Sequence, residues 1–340
     1  MATGTLIGLD IGAMSIRAVE TDRGKGGPVI TSFGQTQLPP GTVRNGVIHD
    51  GPAVTAALKE LWGTNQFGSR DVILGLTNPQ VVVREMSVSN LPGRKMRDAL
   101  PFQVRDMLPL PVERSILDFY PLEDPGTNEM VRGLLIAAPK DAVLAAIAAI
   151  ELAGLRVSKV DLASFALLRA ASHLDGQVEA IVDIGAQASS VIVHIDGEPL
   201  IVRTIPRGGA DITEMMATQL EIPAADAETL KCRIGLVSDA EPDTAKVIQE
   251  AVRPLITEIR SSFAYLTTSD RQSRVTRLAL TGGGSLLPGL AEALGTQLNV
   301  EVVAADPVQR LRDRGRGRHN SLERFRSAAA VAIGLTLGAT

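Results

Sequence analysis

One cysteine, Cys232, is all that 340 residues contain. A single thiol excludes an intrachain disulfide framework and any paired-cysteine metal site. Cys232 reads instead as a small apolar or surface residue of a helix. Aromatic residues are only 3% of the chain, which leaves little for base-stacking surfaces. The net charge is −4, with charged residues at 21%, so no global basic excess points to nucleic acid. No long hydrophobic run is present. The weakly polar stretches 142–155 and 328–339 are shorter than the about 20 residues that a bilayer requires. The first residues, Met1 to Thr5, place no basic segment ahead of an apolar one, which argues against a secretory signal. The expectation is a cytoplasmic protein.

The length suggests two domains, and 45% apolar residues suffice for two cores. An internal repeat supports that division. Residues 6–20 read LIGLDIGAMSIRAVE, and residues 180–193 read AIVDIGAQASSVIV. Each is an apolar strand ending in Asp-Ile-Gly-Ala, a short polar turn and a second apolar strand, so each reads as a β-hairpin. Asp10 and Asp183 stand 173 residues apart, about half the chain. Elsewhere strands and helices alternate. Strand-like runs are 29–36, 72–77, 81–88, 134–138, 157–160, 200–205, 278–281 and 300–303. Helix-like runs are 53–61, 94–107, 141–153, 210–220, 224–234, 245–268, 290–298 and 328–337.

Hairpin turns of this composition can aim several backbone N–H groups at one point, which suits phosphate oxygens. Gly12 and Gly185 allow close approach, Ala13 and Ala186 stay small, and Ser15, Ser189 and Ser190 add hydroxyls. An aspartate just before each turn suits a hydrated Mg²⁺ shared with phosphate. One such turn is common punctuation; a matched pair is more specific. A third segment, residues 280–290, reads LTGGGSLLPGL. Its three consecutive glycines between strand and helix offer a flat surface to a nucleoside.

These three segments, in this order, resemble the actin, sugar-kinase and heat-shock-chaperone ATPase superfamily. The resemblance implies an α/β, actin-like fold of two ribonuclease-H-like domains with an inserted α/β subdomain. Within it the chain is most similar to the PilM family of type IV pilus assembly proteins. The residues carrying that are GLDIGAMSIRAVE (8–20), FQVRDMLPLPVERSILDFYPLE (102–123), PRGGADITEMMATQLEIPAADAETLKCRIG (206–235) and VRPLITEIRSSFAYL (252–266). The implied boundaries are 1–178 for the first domain, with an insertion at about 84–158. The second domain follows at 179–326, with its helical part at about 209–275. A C-terminal helix, 327–340, returns to the first domain.

What the resemblance implies for the site is ATP with Mg²⁺. Asp10, Gly12, Ala13, Met14, Ser15 and Arg17 match the first phosphate segment, and Asp183, Gly185, Ala186 and Ser189 the second. Gly208 and Gly209 match the entry to a nucleotide-side helix. Glu228 and Lys231 line the adenosine pocket, Gly282, Gly283, Gly284 and Leu287 form the adenosine loop, and Gly334 lies in the closing helix. Asp10 and Asp183 would hold the metal through water. Asp161, at the joining helix expected to begin at Val160, is the candidate for orienting a hydrolytic water, with a helix N-cap as the alternative reading. Ala13, Met14, Gln187 and Ala188 stand where the family carries hydroxyls, so binding is better supported than turnover.

The implied partner is the N-terminal tail of a PilN-like single-pass inner-membrane protein, with Phe102, Leu108 and Leu110 as candidate anchors. Pilus motor ATPases and self-association follow as further partners, with a location peripheral to the inner membrane. An FtsA-like division protein and a small-molecule kinase of the superfamily remain alternatives. The arginine-rich run 310–318 reads as a solvated loop, with a polyanion or membrane-surface patch as the other reading.

Overall fold

The computed structural model describes residues 4–24, 27–124, 126–237, 241–268, 274–311, 322 and 325–338. The chain opens with β1 (Thr5–Ile11), which turns back antiparallel into β2 (Ser15–Gly24), itself paired with β3 (Gly27–Gln37). A small hairpin, β4 (Val43–Arg44) and β5 (Val47–Ile48), leads to α1 (Gly51–Thr64). Asp50 caps that helix by accepting the Ala53 N–H at 2.9 Å, and Pro52 sits in its first turn. β6 (Asp71–Leu76) then pairs parallel with β1. An excursion follows: β7 (Val82–Ser89), α2 (Arg94–Val104), β8 (Ser115–Pro121) and β9 (Met130–Pro139). The chain returns through α3 (Lys140–Leu152) to β10 (Arg156–Leu162), parallel to β6. The first sheet thus runs β10-β6-β1-β2-β3.

α4 (Ala163–Ala171) carries the chain across to the second half. There β11 (Val178–Ile184), β12 (Ser189–Ile195) and β13 (Glu198–Ile205) repeat the antiparallel meander. α5 (Gly209–Leu220), α6 (Ala224–Ile234) and α7 (Pro242–Thr268) precede β14 (Arg277–Thr281), which is parallel to β11. α8 (Leu290–Leu298) leads to β15 (Glu301–Ala304), and α9 (Ala330–Leu337) closes the described chain. The second sheet runs β13-β12-β11-β14-β15. Strand for strand, this is the order and direction of the first sheet.

Both central strands are buried on both faces because helices cover each side. Outside the first sheet, α1 and α3 bring Leu58, Leu61 and Ile150 against Ile7, Leu9 and Leu74. Outside the second, α5 to α8 bury Met216, Ile248, Ile259 and Leu294 against Val182, Val191 and Leu280. Between the sheets, α4 and α9 fill the space with Ala166, Leu167, Val331 and Leu335, packed on Ile73, Ile181, Ile192 and Ala279. Fully burying one such side chain contributes about 1.5–3 kcal/mol. α9 also packs on β1, β2 and β6 of the first sheet.

The inserted unit is smaller than its expected span of 84–158. Its sheet, β7-β9-β8, covers residues 82–139 and packs α2 through Val88, Leu100, Val104, Val131 and Leu135. α3 and β10 belong to the first domain, because Ala146, Ala149 and Ile150 join its core and β10 completes its sheet. Likewise the joining helix starts at Ala163, since Val160 to Leu162 finish β10. Arg310 donates to the Arg169 and Ser172 carbonyls at 2.8 and 3.0 Å. Arg312, Arg314, Arg316 and Arg318 lie outside the described residues. Among the described residues, no helix is long and apolar enough to cross a membrane.

Candidate functional site

The two Asp-Ile-Gly-Ala segments form four-residue turns closed by the same bond. Gly12 N–H donates to Ser15 O at 3.0 Å, and Gly185 N–H donates to Ala188 O at 3.0 Å. The N–H groups of Ala13, Met14, Ala186 and Gln187 have no acceptor among the described residues, so both turns keep donors free.

The second turn is the hub around which the other motifs assemble. α5 is seated on it: Gly209 N–H donates to Gly185 O at 2.9 Å and Ala210 N–H to Ala186 O at 2.8 Å. The seat explains Gly208, where a Cβ would fall 2.6 Å from Ala186 O and nearer still to Gly185 O. Gly208 N–H is capped by the Asp211 carboxylate at 2.7 Å. The glycine segment 282–284 wraps the other side. A Cβ on Gly282 would lie 2.5 Å from Ile184 O, and one on Gly284 would strike the Ile184 side chain. Gly282 also has φ +85°, a conformation that glycine adopts without strain. Gly283, by contrast, has open space where a Cβ would be.

Asp10 and Asp183 end their strands beside these turns. Burial raises the Asp10 pKa from its ordinary value, and the Arg17 guanidinium, 3.6 Å away, partly offsets this. Burial, and then the Asp10 charge, push Asp183 up to about 7, against the pull of Arg17. The two carboxylates therefore share one electrostatic field with a single cation, which leaves a negative excess that a further cation would neutralise. Two carboxylates do not make a closed metal cage, and among the described residues no cluster of three or more metal-ligating side chains exists. A metal here would need additional oxygens, as a phosphate supplies.

Several expected contact residues prove to be engaged within the protein. Lys231 is buried, and its ammonium donates to Gly209 O, Thr213 Oγ1 and Glu228 Oε2 at 2.9, 2.8 and 2.6 Å. All three of its donors are spent: two pin α6 to the start of α5, and the third pairs with Glu228 on α6 itself. Glu228 also accepts from Thr213 Oγ1 and keeps a half-exposed side chain. The Ser189 hydroxyl donates to Arg207 O at 2.7 Å, and Ser15 is buried. Leu287 packs in the second core. Gly334 lies where α9 crosses α4, with a Cβ position only 3.0 Å from Ala166 Cα and closer to its carbonyl. That crossing accounts for the glycine by packing.

The family described as Type IV pilus assembly protein PilM matches residues 8–340. The chain is a member of the PilM family. A solved PilM-PilN type IV pilus biogenesis complex is similar at TM-score 0.85 and 28% identity, over 98% of this chain and 97% of that one. FtsA, the cell division protein of Bacillus subtilis (strain 168), is 25% identical over 240 residues. That match covers 60% of this chain and 54% of FtsA, so this chain spans about half the length of that relative. MreB5 of Spiroplasma citri, solved bound to ADP, shares the fold at TM-score 0.54 and 14% identity, over 98% of this chain and 95% of that one. The doubled sheet topology is thus the actin-like fold that the sequence led us to expect, in its type IV pilus form.

Within this PilM-family frame, Asp161 is not a helix cap: Leu162 holds that position, and no side-chain cap bond is made. Asp161 Oδ2 accepts instead from Arg169 at 2.7 Å, and Arg169 Nε donates to Gly334 O at 3.1 Å. By register, Asp10, Gly75 and Asp161 are neighbours across three strands. Two strand spacings put Asp161 about 10 Å from Asp10 along that row. In the insertion, Phe102 is 83% exposed, whereas Leu108 packs against the insertion's own core and Leu110 is half-buried. Tyr120 of β8 meets Phe165 of α4, ring centroids 5.8 Å apart, where insertion and first domain adjoin.

Two participants escaped the sequence reading. Gln187 Oε1 accepts the Asn45 N–H at 3.2 Å, a bond from the second turn to the β4–β5 hairpin of the other half. Asn45-Gly46, with φ of 49° and 73°, is the Asn-Gly signature of a tight hairpin and was open to detection. Ser327 binds the glycine-rich segment 280–290: its carbonyl accepts from Thr281 Oγ1 at 2.8 Å, and its hydroxyl lies 3.0 Å from that of Ser285.

Proposed function

We propose that the chain is an ATP-binding, actin-like scaffold and switch of type IV pilus assembly that docks the N-terminal tail of a PilN-like membrane protein. The observation that carries this is the near full-length likeness to the PilM-PilN complex, joined to a doubled turn that fits a metal-bound nucleotide. Free N–H groups at Ala13, Met14, Ala186 and Gln187 would take phosphate oxygens. Asp10 and Asp183 would hold Mg²⁺ through its waters. A bound Mg²⁺ would supply the positive charge that the two carboxylates and the phosphates call for. Gly283, open on its Cβ side, is the part of the glycine segment best suited to face the nucleoside.

Binding outranks turnover in this reading. Asp161 is committed to Arg169, and no hydroxyl lines the first turn at Ala13 or Met14. Hydrolysis would need a group free to orient water. Because the second turn is bonded both to α5 and to the β4–β5 hairpin of the other half, nucleotide at the turns would bias the angle between the halves. The tail would dock beside the insertion, with Phe102, Leu108 and Leu110 as anchors and Tyr120 with Phe165 at the adjoining seam. Motor ATPases and a second copy of the chain are further partners on the same reading, and the location is peripheral to the inner membrane through these partners.

The test is calorimetry of a PilN-tail peptide against the full chain with ATP, ADP or no nucleotide, at fixed Mg²⁺. A nucleotide-dependent affinity is expected. Equal affinities would end the switch and leave the scaffold; no binding in any state would end both.

A further inference from the structure

A cavity of about 390 Å³ lies between the β4–β5 hairpin, the 77–80 loop and Pro206 beyond β13. That volume falls at the low end for small-molecule sites, about 300–1,000 Å³. It is bounded by residues of both halves and by none of the glycines or aspartates of the turns. Its polar lining is Arg44, Asn45, His49, Asn78 and Gln80, and no lining residue carries a carboxylate.

Two of these groups lack internal partners. Asn78 is 1% exposed. Its Oδ1 accepts the Gln80 N–H at 2.8 Å, which identifies the other terminus as the amide nitrogen. That Nδ2 has no hydrogen-bond partner among the described residues. A buried donor left in this way costs free energy unless an acceptor enters. Arg44 forms no ion pair among the described residues, and a guanidinium fork suits an oxyanion. An acid-free wall, an unpaired cation and an orphaned donor together call for a small anion rich in acceptors.

We propose that this cavity binds a phosphate-type oxyanion, with Arg44 meeting its charge and Asn78 Nδ2 donating to one of its oxygens. The hairpin that carries Arg44 is bonded to the second turn through Asn45 and Gln187. Occupancy would therefore be felt at the turn, although the site does not depend on nucleotide being there. The oxyanion has two sources, free inorganic phosphate or the terminal phosphate of a nucleotide. Asn78 also borders a void of about 10 Å³ with Ser164 and Thr204, room for about one water, and that water is the competing acceptor.

The test titrates inorganic phosphate into the full chain, nucleotide-free and saturated with Mg·ADP, by calorimetry. The variants are Arg44→Gln, at an exposed position, and Asn78→Asp, which keeps the acceptor for Gln80 and replaces the donor by an anion. Saturable one-to-one binding is expected in both states. It should weaken at least tenfold in each variant, while Mg·ADP affinity stays within twofold. Should Asn78→Asp fail to fold, Arg44→Gln decides. Competition by a non-hydrolysable ATP analogue but not by ADP would support the site and assign the terminal phosphate as its source. Phosphate binding that disappears under ADP and is unchanged in Arg44→Gln would overturn the proposal, because the anion would then sit at the turns. So would a crystal grown in phosphate that shows the cavity empty and a water on Asn78 Nδ2.

Discussion

Replacing Gly208 by alanine sets a methyl group 2.6 Å from Ala186 O and closer still to Gly185 O. Both obstacles are backbone atoms of a closed turn, so neither can swing aside. The start of α5 must lift, and the two bonds that seat it, Gly209 N–H to Gly185 O and Ala210 N–H to Ala186 O, are lost. Each is worth about 1 kcal/mol net, and forcing a methyl into packed surroundings adds about 1–3 kcal/mol. The sum is about 4 kcal/mol. At about 2–4 °C per kcal/mol for a unit of 150–250 residues, melting of the second half should fall by about 10 °C. Gly283→Ala is the control, because nothing lies within 4 Å of its Cβ position. Scanning fluorimetry of both variants, with and without Mg·ADP, reads the difference. Gly283→Ala should melt like the wild type and lose ADP stabilisation. A Gly208→Ala protein that melts within about 2 °C of wild type and binds ADP normally would refute the seating argument, since that shift is below 1 kcal/mol.

Two pH effects follow from the buried carboxylates. Glu179 is fully buried; burial alone would raise its pKa, but hydrogen bonds from His194, the His173 backbone and Arg277 overcome this and hold it at about 2. Its folded value is below its ordinary one, so its contribution, on the order of 3 kcal/mol, is present above about pH 4.5 and lost as pH falls toward 2. Glu179→Gln should remove that acid-limb dependence from urea-melt stability. Asp183, raised to about 7, works in the opposite sense. The proton favours the native state, so this group's contribution falls as pH rises from about 3.8 to about 7. The same proton competes with a cation, so Mg·ADP affinity should climb up to pH 7 and level off above it. A flat profile between pH 5.5 and 8 would contradict the metal role of Asp183.

The hairpins were legible because their chemistry is local. Asp-Ile-Gly-Ala occurs twice with apolar strands on either side, and backbone pairing does the rest. Asp161 shows the limit. Its partner Arg169 lies eight residues on, across the strand–helix junction, and strand and N-cap readings of such a segment differ only by where β10 stops. The span of 84–158 that the resemblance implies takes in α3, whose Ala146, Ala149 and Ile150 join the first domain's core; an apolar helix face shows that something covers it but not which sheet. The resemblance implies nucleotide contacts for Gly208, Gly284 and Gly334; that packing also requires glycine there, against backbone and side-chain atoms of other elements, is not visible in the linear sequence. Lys231 is similar: two of its acceptors, Gly209 O and Thr213 Oγ1, belong to α5 and the third, Glu228 Oε2, to its own helix α6, a meeting that no linear spacing announces.

The central claim is that Asp10 and Asp183 jointly hold a metal-bound nucleotide. It is tested most directly by the thermal stabilisation that Mg·ATP gives to the wild type, Asp10→Ala and Asp183→Ala. A site filled at a hundred times its Kd should add about 2.7 kcal/mol of stability to the wild type. Both variants should fold and lose most of that gain, and removing Mg²⁺ with a chelator should reduce the wild type to the same level. Full stabilisation in either variant, or a gain indifferent to Mg²⁺, would contradict the account.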